Sequence, residues 1–248
     1  MTLLFKYPTR ARPVLFESTY KKWRSLLSGK HDVEWLISMD VDDNTMNNAD
    51  ITKFLDGEHN LTYCYGENKS KVSAINANIG CTSQDWQILV LISDDMIPKI
   101  QGYDDIIVSK MLEFYPECDG ALHFNDGRVG SSLCTLSIMG RKLYDRFGYV
   151  YHPDYQSLWC DNEYTEVCHT FGKMTYIDQI IINHAWVDVT GSDPLHTRNE
   201  GQYHRDSRTY HTRKAAGFPK ESVGAVANSH AQIQAQGRRR GQIIDRRR

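Results

Sequence analysis

The chain has 248 residues, 24% of them charged, and a formal net charge of -2. That length suits one large α/β domain or two small ones. The charge is unevenly spread: residues 198–248 hold 12 Lys+Arg against 4 Asp+Glu, leaving 17 basic and 27 acidic residues in the first 197. An acidic body argues against a general nucleic-acid surface there, whereas the basic C-terminal part could touch phosphates. None of the six cysteines pairs as Cys-x-x-Cys, which excludes a zinc knuckle and does not look like a disulfide scaffold. No apolar run approaches a membrane span. Lys6, Arg10 and Arg12 follow a very short apolar run, unlike a signal peptide. A soluble cytoplasmic protein is expected.

In chain order, Leu3–Tyr7 reads as a strand and Pro8–Pro13 as a loop stiffened by proline at each end. Phe16, Tyr20, Trp23 and Leu27 recur at helical spacing, and Gly29 closes that helix. Val33–Met39 is a second strand ending in the acidic Asp40-Val-Asp-Asp43. Asn47 or Asn48 caps a short helix to Leu55, and Leu61–Tyr65 is a third strand. Val72, Ile75 and Ile79 mark one face of the next helix. Ile88–Ile92 is an unbroken, β-branched apolar run, the signature of a strand buried on both faces, and it stops at Asp94 and Asp95. Strand and helix alternate over the first 98 residues, which predicts a mostly parallel, doubly wound α/β sheet with right-handed crossovers and helices on both faces.

Further on, a helix is expected over Ile106–Tyr115, strands over Ala121–Phe124 and Leu133–Met139, and a helix over Arg141–Phe147. Asp154–Asp161 reads as a loop, Glu163–Phe171 as a helix, Met174–Ile177 as a strand, and Ile180–His184 as a last apolar run. From Gly191 the periodicity dissolves. Residues 1–190 therefore read as one domain, 191–219 as a loop or lid on the acceptor side, and 220–248, with Gly237-Arg-Arg-Arg-Gly241 and Arg246-Arg-Arg248, as a basic disordered tail.

Open α/β sheets bind ligands at the carboxyl ends of their strands. Asp94 and Asp95 stand at such an end and suit a hard divalent cation holding phosphate oxygens; the alternative is that they cap a loop or helix.

The stretch Asn68-Lys-Ser-Lys-Val-Ser-Ala-Ile-Asn-Ala-Asn-Ile79 resembles a segment of the family 2 type glycosyltransferases, roughly Asn-x-Gly-Lys-x-x-Ala-x-Asn-x-Gly-Ile. Lys71, Ala74, Asn76 and Ile79 match, while Ser70 and Asn78 replace glycines; Asn tolerates the left-handed conformation. The family's Leu-Asp-x-Asp-Asp strand end is similar to Leu91-Ile-Ser-Asp-Asp95, with Ile92 in place of the first acid and Pro98 following.

The resemblance spans roughly residues 3–190 and implies a GT-A type fold, a nucleotide-sugar-binding domain with a C-terminal acceptor-side extension. It implies a divalent cation, Mn2+ or Mg2+, on Asp94 and Asp95, with His184 in the place of a metal-ligating histidine of some members. Thr9 and Arg10 would contact the nucleotide, Asp40 or Asp42 its base, and Lys71 its phosphates. Trp159-Cys-Asp-Asn-Glu163 resembles the acid motif that supplies the base of inverting members, Asp161 first and Glu163 as substitute; the same acids also suit a helix N-terminus. The donor would be a uridine nucleotide sugar by family habit. The acceptor is open, and the arginine-rich end would suit an anion such as nucleic acid. Two other classes compete. A sugar-phosphate nucleotidyltransferase needs a glycine-rich loop that Pro8–Pro13 lacks. A non-catalytic nucleotide- or glycan-binding protein fits Ile92 but has no need of the acid at Asp161. A zinc site on His196, His204 and His211 fits no ligand spacing.

Overall fold

The computed structural model describes residues 1–185 and 193–219. The expected tail, 220–248, lies outside the described residues. Seven strands form the main sheet: β1 (Thr2–Pro8), β2 (Asp32–Asp40), β3 (Leu61–Gly66), β4 (Ile88–Leu91), β6 (Ala121–Phe124), β7 (Ile138–Gly140) and β8 (Met174–Ile177), in the order β3-β2-β1-β4-β7-β6-β8. Only β7 runs antiparallel to its neighbours. The mostly parallel α/β sheet expected from the alternation is therefore present.

The helices are α1 (Pro13–Ser25), α2 (Ala49–Asp56), α3 (Lys71–Asn76), α4 (Tyr103–Phe114), α5 (Arg141–Phe147), α6 (Cys160–Thr170), α7 (Pro194–Glu200) and α8 (Tyr203–Ala215). Alternate residues of β1 feed two apolar layers. Leu3, Phe5 and Tyr7 pack with Phe16, Tyr20 and Trp23 of α1 and with Tyr103 of α4. Leu4 joins Val72 and Ile75 of α3, Trp86, Leu143 and Tyr164 on the opposite face. Phe5 stacks on Trp35 at 4.6 Å and meets Trp23 edge-on at 5.6 Å. Asn48 caps α2 by accepting from the amides of Asp50 and Ile51, and Ser70 closes a capping box on α3. Asn78, where the resembled motif has glycine, sits at φ 67°. That is the left-handed conformation its side chain tolerates.

Four elements differ from expectation. Within Leu133–Met139 only the end pairs as β7, because Cys134 gives its amide to the Thr165 hydroxyl of α6 instead of to a strand. Helix α6 starts at Cys160, so Asp161 is in its first turn rather than in a loop. Met96–Pro98 (β5) and Ile182–His184 (β9) form a separate antiparallel ribbon. Residues 194–215, read as aperiodic loop, form α7 and α8. The fully buried residue of α8 is polar: Asp206 accepts from the amides of Gln156, Ser157 and Leu158, while Tyr210 packs on the Trp159 ring. A helix docked by hydrogen bonds carries no apolar period to read.

One residue works against this fold. Lys6 is fully buried on β1, its ammonium donating to the Ser38 hydroxyl, with no carboxylate ion-paired to it among the described residues. Burial drives its pKa down to about 7. The unfolded chain, titrating near about 10.4, keeps the extra proton between these values, so stability rises with pH across that window and the full cost is present below it. Lys6→Met is expected to raise Tm, by an amount on the order of several kcal/mol in stability near pH 7 and much less near pH 10. Thermal melts at the two pH values check this; an equal gain at both would contradict it.

Candidate active site

Strands β1, β2 and β4 are parallel neighbours and end at one edge. The acids that follow them therefore meet there. Asp94 is almost completely buried. Its carboxylate accepts from the Tyr7 hydroxyl at 2.8 Å and from the Thr9 hydroxyl at 3.1 Å, and Arg12 stands 3.9 Å away. Its carbonyl accepts from Thr19 of α1 at 3.0 Å. Burial pushes the Asp94 pKa up to about 7, against the pull of Tyr7 and Arg12. Asp94 thus braces the loop after β1 and presents little surface to a ligand.

Arg10 lies between Asp40 and Asp42, bonded to both; its Nη1 is 2.6 Å from Asp42. Asn68 donates to the other Asp40 oxygen at 2.7 Å. Ala11 donates its amide to Asp43 at 2.6 Å while held at φ 57°. A left-handed non-glycine residue costs on the order of 1 kcal/mol and is typical of loops that hold ligands. Asp40 and Asp42 share one guanidinium, so the residues proposed for the base form a single group.

Asp95 is the more open of the adjacent acids. Its carboxylate is 3.5 Å from His184 Nε2 and accepts from the Ser93 hydroxyl. The β5–β9 ribbon makes this contact, with Met96 in register with His184. Burial pushes the Asp95 carboxyl up, but His184 and Ser93 outweigh it and hold it below the usual range. The charge of Lys71, at the start of α3, reaches both Asp95 and Asp161. Asp161, in the first turn of α6, is pushed up by burial, opposed by Lys71 and more weakly by His184. Asp95 and His184 therefore mark one spot, and the charge of Lys71 acts on both Asp95 and Asp161.

Asp95 and His184 offer one hard oxygen and one nitrogen donor on the same side. That set fits Mn2+ or Mg2+ when substrate phosphates and water complete the shell. Among the described residues no group of three His, Cys, Asp or Glu side chains could hold a metal alone.

Glu163 is not brought to this spot. It accepts from Arg213 of α8 through both oxygens, at 2.7 and 2.8 Å, and from the Tyr155 hydroxyl at 2.7 Å. Two residues along a helix face opposite ways, so Asp161 and Glu163 cannot share a site. Tyr7, Arg12 and Asp193 were not singled out from sequence. Arg12 Nε donates to Asp193 at 2.6 Å, and Asp193 caps α7 by accepting from the His196 amide. Only the position of Tyr7 and Arg12 beside the first strand's end could have signalled them.

No protein-family model matches the sequence, and no curated protein does either. Solved structures do. The mannosyltransferase PcManGT from Pyrobaculum calidifontis, in complex with GDP-Man and Mn2+, superposes with a TM-score of 0.59 at 13% identity, covering 94% of this chain and 80% of that one. S. aureus TarS 1-349 in complex with UDP-GlcNAc gives 0.55 at 12% identity over 73% of this chain and 57% of that one. S. aureus TarS gives 0.57 at 10% identity over 95% of this chain and 47% of that one. The chain thus spans about half to three fifths of the TarS chains it matches. At these identities the likeness shows a shared GT-A-like fold.

The Glu163 geometry yields a stability test. Arg213→Ala leaves a buried carboxylate uncompensated and should destabilise the chain by about 3–5 kcal/mol, read by denaturant unfolding. A loss under about 1 kcal/mol would show the pair to be solvated.

Proposed function

We propose that this chain is a glycosyltransferase that moves a sugar from a nucleotide sugar to an acceptor hydroxyl with inversion. The observation that carries the reading is the contact of Asp95 with His184, 3.5 Å apart just past the end of β4, with the charge of Lys71 acting on both Asp95 and Asp161. The fold shared with structures holding GDP-Man and UDP-GlcNAc supports it.

Each residue then has a chemical task. Asp161 takes the proton of the acceptor hydroxyl; its raised pKa makes it a better base than an exposed carboxylate. The freed oxygen attacks the anomeric carbon from the side opposite the diphosphate. The glycosidic C–O bond breaks and the diphosphate leaves with the electron pair. Lys71 would meet the phosphates with its ammonium. Asp40, with Asp42, Arg10 and Asn68, forms a polar cluster whose carboxylate would accept an N–H from a base such as uracil. Thr9 and Asp94 hold the loop that carries Arg10 to this cluster. A divalent cation on Asp95 and His184 would neutralise charge building on the departing diphosphate.

The reading is tested by supplying uridine and guanosine nucleotide sugars with candidate acceptors and following nucleoside diphosphate release. Asp161→Asn should lower turnover by about 10²–10⁴-fold while donor affinity stays the same. Retained turnover would remove Asp161 from the role. Asp40→Asn should raise the donor KM about tenfold and leave kcat nearly unchanged, as expected for lost uniform binding. A fall in kcat alone would place Asp40 elsewhere in the reaction.

A further inference from the structure

The face of the sheet beneath α3 carries a polar cluster that the proposed transfer does not use. Lys6, Ser38 and Cys64 come from β1, β2 and β3. Ser38 is in register with Cys64, and Lys6 pairs with Leu36, two residues before Ser38, so all three side chains leave the sheet on one side. Lys6 donates to the Ser38 hydroxyl, which donates in turn to the Asn78 side chain at 3.3 Å. Asn78, left-handed at φ 67°, opens the 3-10 turn Ile79–Cys81, and its carbonyl accepts the Cys81 amide at 2.8 Å. That turn brings Cys81 back to β3, where the Cys64 and Cys81 thiols hydrogen-bond to each other.

The two thiols are not equivalent. Their bond favours the proton on Cys64, which makes Cys64 the donor and Cys81 the sulfur that is helped to ionise. Cys81 is exposed and Cys64 half-buried, whereas Cys118, Cys134, Cys160 and Cys168 are buried. Lys6 acts on the pair: its charge favours a thiolate on Cys64, and a thiolate on either cysteine favours the ammonium. With its pKa brought to about 7 by burial, Lys6 can take up a proton and return it near neutral pH. An exposed, ionisable thiol beside a second thiol is the arrangement of a redox-sensitive pair. A bound metal would need further donors, and among the described residues no group of three His, Cys, Asp or Glu side chains offers them.

We infer that Cys81 and Cys64 are a peroxide-sensitive pair that closes to a reversible disulfide, with Lys6 carrying the protons. The Lys6 amine takes the Cys81 proton, and the thiolate attacks one oxygen of hydrogen peroxide. An S–O bond forms, the O–O bond breaks, and the departing hydroxide takes the proton back from Lys6 to leave as water. Cys64 then gives its proton to Lys6, and its sulfur attacks the sulfur of the Cys81 sulfenic acid. The S–S bond forms, the S–O bond breaks, and hydroxide leaves with that proton as a second water. Two electrons pass from the sulfurs to the peroxide. The disulfide staples the turn after α3 to β3, and its formation does not depend on the transfer reading.

The test is mass-spectrometric peptide mapping, without reducing agent, of the full chain after hydrogen peroxide at neutral pH. Wild type should yield a linked pair of peptides holding Cys64 and Cys81, separated again by dithiothreitol, while the buried cysteines remain open to alkylation after denaturation. Cys64→Ser should stop at a sulfenic acid on Cys81 that dimedone captures. Cys81→Ser should leave Cys64 reduced under the same exposure. Lys6→Met, expected to be the more stable fold, should lose thiols about tenfold or more slower than wild type. A purely structural lysine would leave that rate alone. Melting curves confirm that the serine variants are folded, and Cys64→Ala and Cys81→Ala replace them if they are not. No link between Cys64 and Cys81 in wild type, equally fast oxidation of the buried cysteines, or a wild-type rate in Lys6→Met overturns the inference.

Discussion

The buried carboxylate of Asp94 is the joint on which the rest depends. It ties the end of β1, through Tyr7 and Thr9, to the turn after β4, and its backbone carbonyl holds α1 through Thr19. A buried carboxylate is costly unless hydrogen-bonded, so these partners fix the loop that follows β1 in one place. That loop carries Arg10 to Asp40 and Asp42, and Arg12 to Asp193 at the head of α7. The next residue, Asp95, is left to face His184. Two neighbouring acids thus sit differently: one is buried and braces the loop, the other is partly exposed beside His184.

A second set of polar contacts joins the two helices α6 and α8. Asp206 gathers three successive amides, Arg213 grips Glu163 and Asp154, and Tyr210 and Lys214 both reach Glu166. These bonds press α8 onto α6, the helix that carries Asp161. The inner side of α8 is spent on neutralising carboxylates.

Much of the sheet was legible because a buried parallel strand needs an unbroken β-branched run, and Ile88–Ile92 is one. Asp40, Asp94, Asp95 and Asp161 were legible as candidates because each follows or opens an element, and open α/β sheets bind ligands at the carboxyl ends of their strands. Their division of roles was not. Whether Asp94 or Asp95 is open depends on Tyr7, Thr9 and His184, which are distant in sequence. Glu163 and Asp161 look alike locally, and a partner 50 residues away separates them, although their spacing of two in a helix already argues for opposite faces. The β5–β9 ribbon pairs only three residues on each side, too few for periodicity to mark. Helices α7 and α8 escaped because polar bonds, not an apolar stripe, dock them.

The most direct measurement of the central claim is calorimetric titration of uridine, guanosine, adenosine and cytidine diphosphates into the chain, with and without Mn2+, for wild type and Asp95→Ala. The account predicts that one nucleotide binds and that Mn2+ tightens its binding at least tenfold, about 1.4 kcal/mol. It further predicts that Asp95→Ala loses this gain and keeps the weaker metal-free binding held by Arg10, Asp40 and Asn68. Binding of no nucleotide under either condition, or a metal gain untouched by Asp95→Ala, would contradict it.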